Sequence, residues 1–240
     1  MSSMCHPLQS SYYFDIRSAV RHMYSFFALR LIQKYLCRRV GTGSTSDVCV
    51  PTTLDVLMDE DVIQAVTGTH HSIVLTVDGK VYTWGKNDTG ALGHSDSHID
   101  MYSLEEYPRL LDCQDMGDKT VYVAAGSGRS AAVTSEGKLF LWGRNMGHIP
   151  AVLDGILFEG LRVIKVALGG ESGKSVIAVI TEDDGLWTFG DGSSKMMGYK
   201  GADWKCPTPK RVPSFIGKRV LDIYCGPGQH IIAKVVVDND

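Results

Sequence analysis

The chain has 240 residues, with 24 Lys and Arg against 27 Asp and Glu and 44% hydrophobic residues. A net charge of −3 supplies no chain-wide attraction for nucleic acid, and no uncharged apolar run reaches the length a helix needs to cross a bilayer. Six cysteines (5, 37, 49, 113, 206 and 225) form no C-x-x-C pair, so a disulfide framework is not expected, and free thiols suit a reducing cytoplasmic or nuclear setting.

In chain order, the first element stands apart from the rest. Residues 1–46 carry Arg17, Arg21, Arg30, Lys34, Arg38 and Arg39 against the single acid Asp15, net +5, which leaves 18 basic and 26 acidic residues, net −8, for the remainder. That asymmetry marks a boundary, with 41–46 (Gly-Thr-Gly-Ser-Thr-Ser) as linker and 47–240 as the main body. Ile16 to Val40 lacks Pro and Gly and predicts a helix. Its basic residues fall on two faces, which favours a cap over the next element. The alternative is a mitochondrial transit segment, for which an Arg-rich, acid-poor composition is typical.

From residue 62 onward one pattern recurs. Segments 62–85, 121–143 and 163–190 each end on an aromatic-Gly pair, and 220–237 repeats their opening. Thr76 to Gly85, Thr134 to Gly143 and Thr181 to Gly190 superpose without a gap. Asp78-Gly79, Glu136-Gly137 and Asp184-Gly185 lie inside them and predict hairpins of type I′, the last with a different turn because its Gly comes one position late. Pro51, Pro108, Pro150 and Pro209 are each followed within three residues by Leu or Val and predict an outer strand opening each unit, since Pro is tolerated at edges. Cuts at these prolines give units 51–107, 108–149, 150–208 and a partial 209–240. Each full unit has four strands, the composition of a propeller blade.

These residues resemble the regulator of chromosome condensation repeats. Unit one carries Gly68, His71-Ser72, Leu75-Thr76, Asp78-Gly79, Trp84-Gly85, Asn87 and the tail Gly90-Ala91-Leu92-Gly93. Unit two keeps Ala125-Gly126, Trp142-Gly143 and Asn145 but loses the tail; unit three has Phe189-Gly190 in place of Trp-Gly; unit four has Cys225-Gly226 and His230. The resemblance implies an all-β fold: an incomplete β-propeller of about three and a half four-stranded antiparallel blades, with the helical segment N-terminal to it. It also implies that Gly68, Gly126, Gly169 and Gly226 permit close backbone approach, and that Trp84 and Trp142 fill the wedges between blades. Seven such units would need roughly 370 residues. A fragment or worn copy, a curved stack capped by the N-terminus, and two chains closing one ring all accommodate the shortfall.

The remaining motifs carry less chemistry than they suggest. Gly169-Gly-Glu-Ser-Gly-Lys-Ser175 looks like a phosphate-binding loop, but Leu168 stands where its first Gly belongs and a β-rich run follows where a helix is needed, so it is expected to be a blade-loop insertion. His94 and His98 with Asp96 and Asp100 are expected to be solvated, without metal. No catalytic motif or cofactor site is expected. Trp204, in a polar loop, is the candidate anchor for a partner. The function expected is a protein-binding scaffold working through blade loops. The family resemblance adds guanine-nucleotide exchange on a Ran-type or other small GTPase, and residues 1–40 add a mitochondrial member of the family. Direct nucleic-acid contact is not expected from an acidic repeat region.

Overall fold

The computed structural model describes residues 41–43, 53–96, 103–171, 175–192, 195–200, 205–226 and 230–236. The helix expected within 16–40 lies outside them. Among the described residues, fourteen strands form three four-stranded antiparallel sheets and one of two strands. Blade one is β1 (Val62–Thr67), β2 (His71–Thr76), β3 (Val81–Lys86) and β4 (Leu104–Leu110). Blade two is β5 (Thr120–Ala125), β6 (Arg129–Thr134), β7 (Leu139–Gly143) and β8 (Gly147–Leu153). Blade three is β9 (Val163–Gly169), β10 (Val176–Thr181), β11 (Leu186–Gly190) and β12 (Cys206–Arg211). β13 (Val220–Cys225) and β14 (Ile231–Val235) begin a fourth.

Each blade is ordered as in sequence, so β1, β5, β9 and β13 are the first strands, and each touches the next. The middle strands β2, β6 and β10 are buried at every position, because each is covered on both faces: β6 by blades one and three, β10 by blade two and the β13–β14 pair, and β2 by blade two and by Leu54 and Leu57. The wedge between blades one and two holds Val66, Ile73, Leu75, Val123, Phe140 and Trp142; that between two and three holds Val133, Leu141, Phe158, Val166, Val179 and Phe189.

Three expectations need correction. The proline-bearing outer strands do not open a blade. Pro108 lies in β4, which pairs with β3, and Pro150 and Pro209 likewise lie in strands that close the blade before them, so the sheets span 62–110, 120–153 and 163–211. Pro sits on an edge strand as its missing N–H requires, but that requirement does not say which sheet the strand borders. The hairpins are also not type I′. Asp78 and Glu136 keep negative φ and only Gly79 (86°) and Gly137 (79°) are left-handed, with Thr76 N–H donating to Lys80 O and Thr134 N–H to Lys138 O. These are three-residue loops, a turn closed by a left-handed bulge residue. Finally, blade three uses the same turn rather than another: Asp184 takes the left-handed position at φ 59° and Thr181 N–H donates to Gly185 O at 3.2 Å. Asp tolerates that conformation, so the Gly need not be in register.

Gly41 and Gly43, assigned by composition to a linker, pack on blade one. A Cβ on Gly41 would lie 2.8 Å from Trp84 Nε1 and 3.3 Å from Leu54 Cδ1. Gly93 holds the same relation to the next blade, 2.8 Å from Trp142 Nε1 and 2.9 Å from Leu111 Cδ1, with φ of 83° against 82° for Gly41. Residues 41 and 54 thus occupy, against Trp84, the positions that a blade's tail and outer strand occupy against Trp142.

Candidate protein-interaction faces and the joints that hold them

The joint between blades one and two explains the family tail. The Ala91 carbonyl accepts from Trp142 Nε1 at 2.9 Å and from Ser130 Oγ at 2.6 Å, both on blade two. Because Ser130 gives its only proton to Ala91, His71 Nε2, 2.9 Å away, must be the donor to Ser130 Oγ, which fixes the tautomer of a fully buried imidazole. Gln64 on β1 adds a two-point tie, donating to Val123 O and accepting from Val123 N, each at 2.9 Å.

Blade two has no tail, and blade three has lost the groups that would bind one. Ile177 and Phe189 stand at the positions of Ser130 and Trp142, an inference from matching strand registers. Phe158 fills the space, meeting Trp187 and Phe189 edge-on at 5.7 and 6.4 Å. The polar tie moves to Arg129, whose almost wholly buried guanidinium reaches Asp191 on blade three at 3.1 Å and the Arg144 carbonyl at 2.7 Å. Burial pulls the Arg129 pKa down and the Asp191 carboxylate opposes that shift. The worn repeats are matched across their joint.

The glycines expected near the axis sit at the ends of the first strands. A Cβ on Gly68 would lie 2.4 Å from Gly126 O, one on Gly126 2.8 Å from Leu168 Cβ, and one on Gly169 2.7 Å from Cys225 Cβ. Among the described residues, Gly226 has nothing within 4 Å. Gly85, Gly143 and Gly190 are different: φ lies between 99° and 131°, and each sits at a register shift in its pairing with the outer strand. Trp84 and Trp142 are both buried, Trp84 against Leu54 and Leu57 among the described residues. Trp204 lies outside the described residues, as do His98 and Asp100.

His94 is buried, against the expectation that it is solvated. Thr83 Oγ1 donates to Leu92 O at 2.7 Å, so His94 Nε2 donates to Thr83 Oγ1 at 3.0 Å. Tyr199 fills this role in blade three, 2.6 Å from Thr188 Oγ1 and donating to Lys210 O at 2.6 Å. Burial, then Arg109, lowers the His94 pKa; Glu105 and Asp96 oppose, both already paired with Arg109. A depressed pKa means the unfolded chain binds the proton first. Stability present above the ordinary histidine value of about 6.5 should therefore fall as pH drops through it towards the folded value. His94→Tyr should flatten this acid limb in urea melts taken from pH 7.5 to 5, while unchanged curvature would assign the limb to other groups.

The two faces of the blades differ in charge. On one, the β2–β3, β6–β7 and β10–β11 hairpins and the connectors between blades bring together Asp61, Asp78, Asp115, Glu136, Glu159 and Glu182 beside several paired carboxylates. The cations there are largely engaged: Lys80 with Glu60, Lys138 with Asp118, Arg211 with Asp183 and Arg219 with Asp184. Tyr82 also donates to Glu60 at 2.7 Å, and burial followed by that carboxylate pushes the tyrosine pKa up to about 12. The other face carries the tails, with Lys86, Arg144 and Lys195. Residues 172–174 of the apparent phosphate loop are outside the described set, and β10 follows it as a strand, so no helix N-terminus faces it.

Stacked four-stranded blades joined through their middle strands define a β-propeller-type repeat protein. The regulator of chromosome condensation (RCC1) repeat pattern matches residues 78–133 and 183–233, and a second form of that repeat matches 62–91. The chain belongs to the RCC1 repeat family. It is 32% identical over 201 residues to mouse E3 ubiquitin-protein ligase HERC2, a match covering 78% of this chain and 4% of that protein. It is 33% identical over 214 residues to the Arabidopsis thaliana RCC1 domain-containing protein RUG3, mitochondrial, covering 81% of this chain and 44% of RUG3. The crystal structure of Saccharomyces cerevisiae Prp20p, reported with its binding properties to Gsp1p and histones, superposes with a TM-score of 0.63 at 20% identity, covering 75% of this chain and 44% of that one. The chain thus spans less than half the length of each of these relatives. Among the described residues no three potential ligands gather as a metal site, and no helix is long and apolar enough to cross a membrane.

Proposed function

We propose that this chain is a non-enzymatic protein-binding scaffold whose partner docks on the hairpin face. The observation that carries the reading is the charge of that face: successive blades turn carboxylates outward on it while Lys80, Lys138, Arg211 and Arg219 are held in ion pairs. Such a surface steers a basic partner and rejects acidic ones, contributing more to association rate and selectivity than to affinity. Charge reversal at exposed hairpin positions, Asp78→Lys with Glu182→Lys, should deplete the proteins crosslinked to the chain in cells. Lys86→Glu with Lys195→Glu on the opposite face should not. Equal loss from both pairs of changes would remove the reading.

A narrower form is regulation of a small GTPase, supported by family membership and by the pairing of Prp20p with Gsp1p in that structure's description. Labelled-nucleotide release from a panel of small GTPases separates the two: a scaffold binds without accelerating release, an exchange factor accelerates it. RUG3 and the basic residues 1–40 support a mitochondrial location, the nuclear or cytoplasmic alternative resting on the wider family. Imaging a tagged chain with and without those residues decides between them.

A further inference from the structure

Blade two meets the connector into blade three at a groove of about 500 Å3, within the range of peptide and small-ligand sites. Hairpin residues 136–138 form one wall and residues 154, 155, 158 and 160–163 the other, with Glu159 next to them in the connector. The floor is apolar, with Leu139 and Phe158, and Val152 in the lining is 57% exposed. Ile156, on the turn bordering the groove, is 79% exposed. A Cβ on Gly155 or Gly160 would meet nothing within 4 Å, so the connector backbone leaves its side open.

The charges of the groove are unequally committed. Lys138 is paired with Asp118 at 2.8 Å, whereas Arg162, bonded to the neutral Ser135 and Glu136 carbonyls, keeps its positive charge. Among the described residues, the Glu136 carboxylate has only a 3.6 Å contact with Lys138, and Asp154 accepts only the Ile156 N–H. No cation among the described residues stands within ion-pair distance of Asp154 or Glu159. A basic ligand meets three carboxylates, Glu136, Asp154 and Glu159, against one cation, Arg162, that no carboxylate among the described residues neutralises.

We propose that this groove docks a short peptide in which apolar residues are flanked by lysines or arginines, a proposal that rests on the hairpin-face reading and locates its contact. The apolar pair would cover Val152 and reach towards Phe158, and the flanking cations would meet Glu136, Asp154 and Glu159. Burying side chains now in water supplies affinity, and the carboxylates set the sign of what is accepted.

The test uses the full chain and three fluorescein-labelled peptides, KKLFKK, KKAAKK and EELFEE, read by anisotropy. KKLFKK should bind saturably, and both others at least about tenfold more weakly. The double variant E136K with E159K, and separately V152D, should each weaken KKLFKK by about tenfold, while D78K, on the same face but outside the groove, should weaken it less than either. All these positions are exposed, and circular-dichroism melts check that each variant folds. Binding of KKAAKK as tight as KKLFKK would overturn the proposal, as would indifference to both groove variants or the absence of saturable binding. Loss with D78K alone would overturn the groove and keep the hairpin-face reading; indifference to all three variants would remove both.

Discussion

Trp142→Ala should destabilise the protein by about 3–5 kcal/mol in urea melts, the range for removing a fully buried large aromatic. The side chain has no exposed surface, packs with Ile73, Leu75, Val123 and Phe140 across the joint of blades one and two, and ties the Ala91 carbonyl to blade two. Trp142→Phe isolates the polar part. It keeps most of the ring contact and loses the indole N–H, while Ala91 O still accepts from Ser130, so its cost should be about 1 kcal/mol beyond that of the lost volume. The reciprocal change at the next joint should run the other way. Phe189→Trp adds bulk beside Phe158 and an indole N–H at a joint where blade two supplies no tail carbonyl, and it should destabilise by about 1–3 kcal/mol. A stabilising Phe189→Trp would show that the pairing of tail with Trp, and of no tail with Phe, is not a packing rule in this chain.

That pairing marks the limit of what the amino-acid order exposes. The ten-residue stretch from Thr to aromatic-Gly is legible because both strands and their turn are local, and β2–β3, β6–β7 and β10–β11 follow it. The outer strand was assigned to the wrong neighbour because its pairing partner lies beyond a loop, 104–110 against 81–86, and a proline declares an edge without declaring whose. The turn of blade three looks irregular in sequence because Gly185 is late, yet Asp184 adopts the left-handed conformation itself. Ser130, Arg129 and Asp191 carry no signal of their own, since each acquires its role from a residue tens of positions away on another sheet. His94 reads as a polar loop residue until it is set against Tyr199, when the matching eleven-residue spacing from Thr83 and Thr188 identifies one position beside the threonine hydroxyl in both blades. At the hairpin face, acidic loops are visible in composition, but the commitment of Lys138 and Arg162 to other partners is visible only in space.

Gly68→Ala, Gly126→Ala and Gly169→Ala should each destabilise the protein by about 1–3 kcal/mol, whereas Gly226→Ala should cost nothing measurable. None of the four has a left-handed φ, so backbone conformation does not demand glycine at any of them. Space does, and unequally. At Gly68 a methyl would overlap both the His71 ring at 2.3 Å and the rigid Gly126 carbonyl at 2.4 Å. At Gly126 and Gly169 the obstacles are the Leu168 Cβ at 2.8 Å and the Cys225 Cβ at 2.7 Å, atoms anchored in the first strand of the following blade. The order of cost should therefore be Gly68 first, with Gly126 and Gly169 close together behind it. Relief requires the blades to separate at this end of their first strands, which would stretch the Thr69 N–H bond to Gly126 O and the Gly170 N–H bond to Gly226 O, now 3.3 and 3.1 Å. At Gly226 a methyl meets nothing, and the smaller conformational freedom of an unfolded Ala would, if anything, favour the folded chain by a few tenths of a kcal/mol or about 1 at most. Equal losses at Gly226 and Gly126 in the same melts would mean that the glycines serve the turn each belongs to and not the contact between blades.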